Sequence, residues 1–151
     1  MHHLKHEVLI QICGEQIVEG QSDRVEMAAR GTLEELDNGY AVSYVERDGP
    51  MEGCMTRLTL DGPRMAMLRT GEYASEMILE RGRRHTCSYT TPYGELMLGV
   101  FARQVDYQIQ NGDGKIEVSY TLDSNERLAS ENKLRITLKK WTGEDENRCQ
   151  N

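Results

Sequence analysis

With 25 acidic against 18 basic side chains in 151 residues, a formal charge of −7, the chain repels polyphosphates unless its basic residues cluster, so nucleic acid is a poor first partner. Its length suits one domain that can bury a core without disulfide or metal staples. No apolar run is long enough for a membrane span or a secretory core, which predicts a cytoplasmic protein with no membrane contact.

The start, "MHHLKHEVLIQICGEQ", carries His2, His3 and His6 ahead of the first periodic segment and reads as a mobile end. From there apolar residues recur at every second position, the mark of half-buried strands. "HEVLIQI" sets Val8, Ile10 and Ile12 on one face, and "RVEMAARGTL" does the same with Val25, Met27, Ala29 and Leu33. Shorter strands follow in "YAVSYVE", "MTRLTLD", "RMAMLRT" and "ASEMILE". The two clearest come last: "KIEVSYTL", with Ile116, Val118, Tyr120 and Leu122 in phase, and "NKLRITLKKW", with Leu134, Ile136 and Leu138. Turn chemistry punctuates them at Asn38-Gly39, Asp48-Gly49-Pro50, Asp61-Gly62-Pro63, Thr70-Gly71, Arg81-Gly82, Pro92-Tyr93-Gly94 and "NGDG". "DSNERLASEN", between the last two strands, leaves room for one helical turn.

Short strands at regular spacing, each ended by a glycine turn, predict an all-β antiparallel meander. An open meander exposes two long edges and a closed barrel removes them, so the expected architecture is a single barrel of about eight to ten strands over residues 1–141. The polar tail 142–151, "TGEDENRCQN", is expected to be disordered.

The densest chemistry lies in "RGRRHTCSYTTPYGELMLGV", residues 81–100. Alternation separates Arg84, Thr86, Ser88 and Thr90 from His85, Cys87 and Tyr89, and the second set reads as the inward face. The partner strand is apolar on both faces from Leu96 to Phe101, so its register stays open. A three-residue loop would set the polar row beside Met97, Gly99 and Phe101, and a two-residue loop would set it beside Leu96, Leu98 and Val100.

An apolar wall with a few convergent polar groups is the makeup of a small-molecule pocket. The expected lumenal contacts are His85, Tyr89 and Arg69, with Met65, Met67, Met97 and Phe101 as the wall. Arg69, in phase with Met65 and Met67, would be the anion-binding group. A catalytic Cys87 activated by His85 lacks an orienting carboxylate close by, and no catalytic residue is assigned. Arg81, Arg83 and Arg84 around Gly82 form a basic hairpin tip able to meet a protein partner. Cys13, Cys54, Cys87 and Cys149 show no paired spacing and are expected to be free thiols. No metal site and no cofactor motif is expected.

The segments "VLIQICGEQ", "YTTPYGELMLGV" and "SENKLRI" resemble the YwiB-like proteins, small bacterial domains of unknown function with a calycin, or lipocalin-like, β-barrel. The resemblance runs over nearly the whole chain and implies that barrel. It carries no catalytic or binding residue with it. The chain departs from the secreted lipocalin pattern in having no Gly-x-Trp near the first strand, and its single tryptophan, Trp141, closes the last one. Two functions follow: a barrel that binds a small amphipathic or anionic molecule in its lumen, or an adaptor that meets a partner through the arginine tip or a strand edge.

Overall fold

A computed structural model describes residues 4–46, 52–71, 74–91, 94–125 and 127–141, and the side chains of 89–91 lie outside that description. His2, His3, the Asp48-Gly49-Pro50 turn and the tail 142–151 fall outside it too. Alternating apolar positions become ten strands: β1 (Lys5–Val18), β2 (Gln21–Leu36), β3 (Gly39–Val45), β4 (Met55–Asp61), β5 (Arg64–Thr70), β6 (Ser75–Glu80), β7 (Arg84–Thr91), β8 (Gly94–Gln110), β9 (Asp113–Ser124) and β10 (Arg127–Lys140). Each is antiparallel to the next, and β1 pairs with β10, from Val8 opposite Lys140 to Ile17 opposite Glu131, so the sheet closes on itself. The predicted barrel is thus present at the upper end of its strand count.

The room for a helical turn between the last two strands is not used. β9 ends at Ser124, which pairs with Arg127 at the start of β10, and Asn125 next to Ser124 takes a φ of 54°. Asparagine tolerates the left-handed region, which lets a short turn replace a longer connection.

β3 to β7 are short, with 7, 7, 7, 6 and 8 residues, whereas β8 has 17. The first part of β8 pairs with β7; beyond a register shift between Ala102 and Gln104 it continues along β9. A bulge bends a strand and increases its twist. The bent half carries Tyr107 to the β4–β5 turn, where its hydroxyl donates to the Gly62 carbonyl at 3.1 Å and its ring meets Tyr40 edge-on at 6.1 Å. Tyr40 in turn donates to the Ile109 carbonyl at 3.3 Å. This end of the barrel is closed by aromatic side chains.

Every strand contributes to the core. Ile10, Leu33, Val42, Leu58, Leu60, Met65, Leu79, Val100 and Ile116 are wholly buried, joined by Cys87 from β7 and Ile136 from β10. Each such side chain contributes roughly 1.5–3 kcal/mol on burial. The middle of the lumen is therefore a packed core, as small barrels of this width permit.

One stretch of wall is different. Neighbouring strands pair over many residues, but between β6 and β7 the ladder pair among the described residues is Ser75 with Tyr89, and an isolated bridge joins Glu80 to Arg83 at the corner. The backbones of 76–79 and 85–88 form a seam in an otherwise continuous sheet.

Candidate functional site

The β7–β8 register answers the question left open by the sequence. Thr91 faces Gly94, and His85, Cys87 and Tyr89 stand opposite Val100, Leu98 and Leu96. The two-residue connection is the one adopted, and its direct consequence is that Met97 and Phe101 belong to the outer face. Met97 is 62% exposed, and Phe101, opposite Arg84, is half-buried. Neither lines the lumen as expected; periodicity is blind where a run is apolar on both faces. Met65 is sealed inside the core, and Met67 packs against it beside Met77.

His85 does not face an open lumen either. Its Nε2 lies 2.9 Å from Oε1 of Glu80, five residues upstream across the β6–β7 corner. The same oxygen accepts from Arg64 Nη2 at 2.9 Å, and Arg83 Nη1 stands 3.8 Å from Oε2. These hydrogen bonds, from Arg64 first and His85 second, hold the Glu80 carboxyl below the usual carboxylate range. The carboxylate missing from the sequence reading is therefore present, but it binds His85 to the wall. Cys87 is buried and its thiol is pushed up by desolvation, the opposite of an activated thiolate.

Next along β7, Arg84 crosses the outer face of β8 and grips Asp123 on β9 with two bonds, Nε to Oδ2 at 3.0 Å and Nη2 to Oδ1 at 2.6 Å. Gly99 makes the crossing feasible. A Cβ there would lie 2.2 Å from Arg84 Nη2 and 2.5 Å from Asp123 Oδ2, so the guanidinium rests directly on the β8 backbone. The expected free tip is a tucked corner: Gly82, at a φ of 77°, donates its amide to the Ala102 carbonyl, and Arg81 donates to that of Pro63.

A polar cluster that the sequence reading did not assemble sits at the opposite end of the lumen. Tyr44, Thr56, Arg69, Ser75 and Tyr89 are register neighbours across β3 to β7. Glu46, just beyond β3, pairs through its backbone with Cys54 and points into the same space. Arg69 is not a solvated strand end: its side chain is 12% exposed, against 11% for Glu46, and Nη2 stands 3.7 Å from the Glu46 carboxylate. Thr56, fully buried, donates its hydroxyl to Glu46 at 3.4 Å. Burial first, then the Glu46 charge, pushes the Tyr44 phenol up to about 12, so it stays a proton donor at any physiological pH. The signal was available in retrospect: Glu46 is in phase with Val42 and Tyr44, so a carboxylate falls on a core face.

Among the described residues no group of three or more His, Cys, Asp or Glu side chains has metal-holding geometry, and no helix is long and apolar enough to cross a membrane. Cys13 is partly exposed, while Cys54 and Cys87 are buried, all three as free thiols.

A closed ten-stranded antiparallel meander with a packed waist, an aromatic plug at one end and a polar cluster at the other is a calycin-like barrel. Residues 10–136 match the family described as a domain of unknown function, DUF1934, and the chain belongs to that family. The crystal structure of the ywiB protein from Bacillus subtilis is similar at a TM-score of 0.82 and 16% identity, over 91% of this chain and 94% of that one. At that identity the likeness is one of fold, in agreement with the resemblance to YwiB-like proteins. No curated protein matches the sequence. A fold of this class hosts many unrelated activities, so the site has to carry the functional argument.

Proposed function

We propose that the protein is a non-enzymatic, cytoplasmic binding barrel whose ligand is a small amphipathic molecule seated at the polar end of the lumen. One observation carries this reading: Arg69 and Glu46 form a nearly buried charged pair beside Tyr44 and Thr56. Burying such a pair is expensive, and an apolar pair of similar volume is often as stable or more so. Ionisable groups kept at that cost cluster at functional sites. Because Glu46 already matches Arg69, the ligand's head group is polar rather than strongly anionic, and its apolar part lies against Met67 and Met77, whose thioethers adapt to shape. Tyr89 shares the row through its backbone, while His85, Met65, Met97 and Phe101 are outside this site.

The test is native mass spectrometry of gently purified protein, comparing intact and denatured masses. A stoichiometric extra mass that leaves on denaturation, and is absent from an Arg69→Met variant with a native thermal melt, is the expected result. Bare wild-type protein at the same expression level overturns the reading.

A second reading, an adaptor working from the outer wall, is favoured by the arginine forks that lie over Glu80 and Asp123, two carboxylates that are themselves nearly buried. Its mark is a partner lost on reversing the charges of Arg81, Arg83 and Arg84.

A further inference from the structure

We propose that the open edge of β2 is a self-association surface: residues 21–29 of two copies pair antiparallel about a two-fold axis at Val25, which joins two barrels through one continuous sheet. The inference stands apart from whatever the lumen holds.

Among the described residues β2 pairs with β1 from Gln21 to Glu34 but with β3 only from Gly31 to Leu36. The β1–β2 hairpin therefore projects past the end of β3, and the other side of residues 21–30 has no ladder partner there. An antiparallel strand turns the amides and carbonyls of alternate residues to opposite sides. Counted from the two-residue turn Glu19-Gly20, Gln21, Asp23, Val25 and Met27 bond β1, which aims Ser22, Arg24, Glu26 and Ala28 at the open side. Exposed edges are commonly guarded by proline, lysine or a bulge, and residues 21–30 have none of the three. Val25 is in phase with Ala29 and Leu33 of the core, yet it is 67% exposed, because β3 stops short of it.

Charge and length select a second copy and a single register. Arg24 and Glu26 lie 2.9 Å apart on the outer face of the strand, 67% and 68% exposed. With the axis at Val25, Arg24 of each copy stands opposite Glu26 of the other, so each guanidinium has one carboxylate along its own strand and one across the axis. A neutral pair meets its own inversion, and no net charge has to be supplied. An axis at Arg24 or Glu26 sets each residue against itself, and an axis at Met27 sets Arg24 against Arg30; like charges directly opposite are destabilising. An axis at Asp23 runs the ladder into the turn. The Val25 axis uses the whole open edge: Gln21 meets Ala29 just before β3 takes over, and the bonded pairs, Ser22 with Ala28 and Arg24 with Glu26, are those whose backbone groups already face outward. At the axis the two valines meet in a non-hydrogen-bonded pair, where Cα atoms approach to about 4.5 Å. In strand addition the backbone supplies affinity and the side chains supply specificity. A foreign strand satisfies the same amides, but "RVE" is complementary to its own reversal, which a foreign strand matches only by chance.

The experiment is sedimentation velocity on the full chain over a dilution series at physiological salt, with mild oxidation of cysteine variants beside wild type. One ladder makes a small interface, so the expected wild type is a dimer that dissociates on dilution. Arg24→Glu, which sets carboxylates against each other, is expected to weaken it at least about tenfold, and the swap Arg24→Glu/Glu26→Arg to recover most of that loss. Ala28→Pro removes an amide that faces the open side and not β1, and is expected to weaken the dimer with a thermal melt close to wild type. Val25→Cys is expected to cross-link two chains at least about tenfold faster than Asp23→Cys, whose two copies lie about 13 Å apart along the strands at about 3.3 Å per residue. A chain that stays monomeric throughout overturns the pairing and leaves the edge to a strand of another protein. A dimer indifferent to Arg24→Glu and Ala28→Pro is built on a different surface and overturns it as well. Equal cross-linking through Asp23→Cys, or a charge swap that recovers nothing, overturns the Val25 register.

Discussion

Two leucines separate a packed lumen from a hollow one, and the seam from the rest of the wall. Leu58 on β4 and Leu79 on β6 are both wholly buried, so their truncation to alanine removes the same atoms from the same apolar surroundings. Leu→Ala substitutions in packed cores cost about 2.7–5.0 kcal/mol, rising with the cavity that cannot collapse. Leu58 stands between Val42 and Met67 on strands paired to β4 along its whole length, which leaves the backbone no freedom to close over a void. Leu58→Ala is therefore expected near the top of that range, about 4–5 kcal/mol. Leu79 is locked to Met65 on one side only, and its other side faces the seam, where β7 can shift inward. Leu79→Ala is expected about 1–2 kcal/mol lower, near 3 kcal/mol. Urea unfolding followed by tryptophan fluorescence and by circular dichroism reads both values, with unchanged slopes as the sign of an unchanged fold. A cost below about 1 kcal/mol for Leu58→Ala would refute the packed waist. A larger cost for Leu79→Ala would refute the seam.

Three further outcomes follow from the titrating groups. Glu80 has a depressed folded-state pKa, so its contribution to stability is present above its ordinary value of 4.5 and is lost as the pH falls through the folded value; Glu80→Gln should show a smaller drop in urea midpoint between pH 6 and pH 3, and an unchanged drop would count against the Arg64 and His85 pairing. Tyr44 has a raised one, so the folded state holds its proton longer than the unfolded chain and stability declines as the pH climbs from 10 towards 12; in an ultraviolet titration, Tyr44→Phe should abolish the last phenolate step, and loss of an early step instead would place Tyr44 in solvent. Cys87 should react with a thiol probe far more slowly than in unfolded protein and, among the described thiols, after the partly exposed Cys13; rapid Cys87 labelling in the native state would reopen thiol chemistry.

Local physics made most of the wall legible. "MTRLTLD" and "RMAMLRT" coincide with β4 and β5 because Asp61-Gly62-Pro63 cannot continue a strand and the alternation on either side is unbroken. The inward face of Cys87 was legible for the same reason, whereas His85, in phase with it, turns to Glu80 at the corner. Met97 and Phe101 were not: Leu96 to Phe101 offers apolar residues to both faces, and only the turn length fixed the register. The Glu80–His85 bond escaped because β6 and β7 leave their corner without a regular ladder, so hairpin register arithmetic does not apply there. The Tyr44, Glu46, Thr56 and Arg69 cluster needs three strand registers at once, and long-range pairing is invisible to periodicity. Asp123 and Gly99 entered through a side chain that spans a whole strand, a contact with no sequence signature beyond a glycine in an apolar run.

The pairing of β1 with β10 has a consequence for how the protein is made. Trp141 donates its amide to the Glu7 carbonyl, so the closing joint ties the first strand to the last. During synthesis β1 can add β2 within moments, but its other edge stays a row of unsatisfied amides and carbonyls until residues 131–140 have left the ribosome. At about 5–20 residues per second that wait lasts several seconds, and for its duration the nascent chain presents a ready template for the wrong strand. Ring closure over nearly the full chain length makes this a slow folder for its size, and that one edge is the part of the wall left open longest.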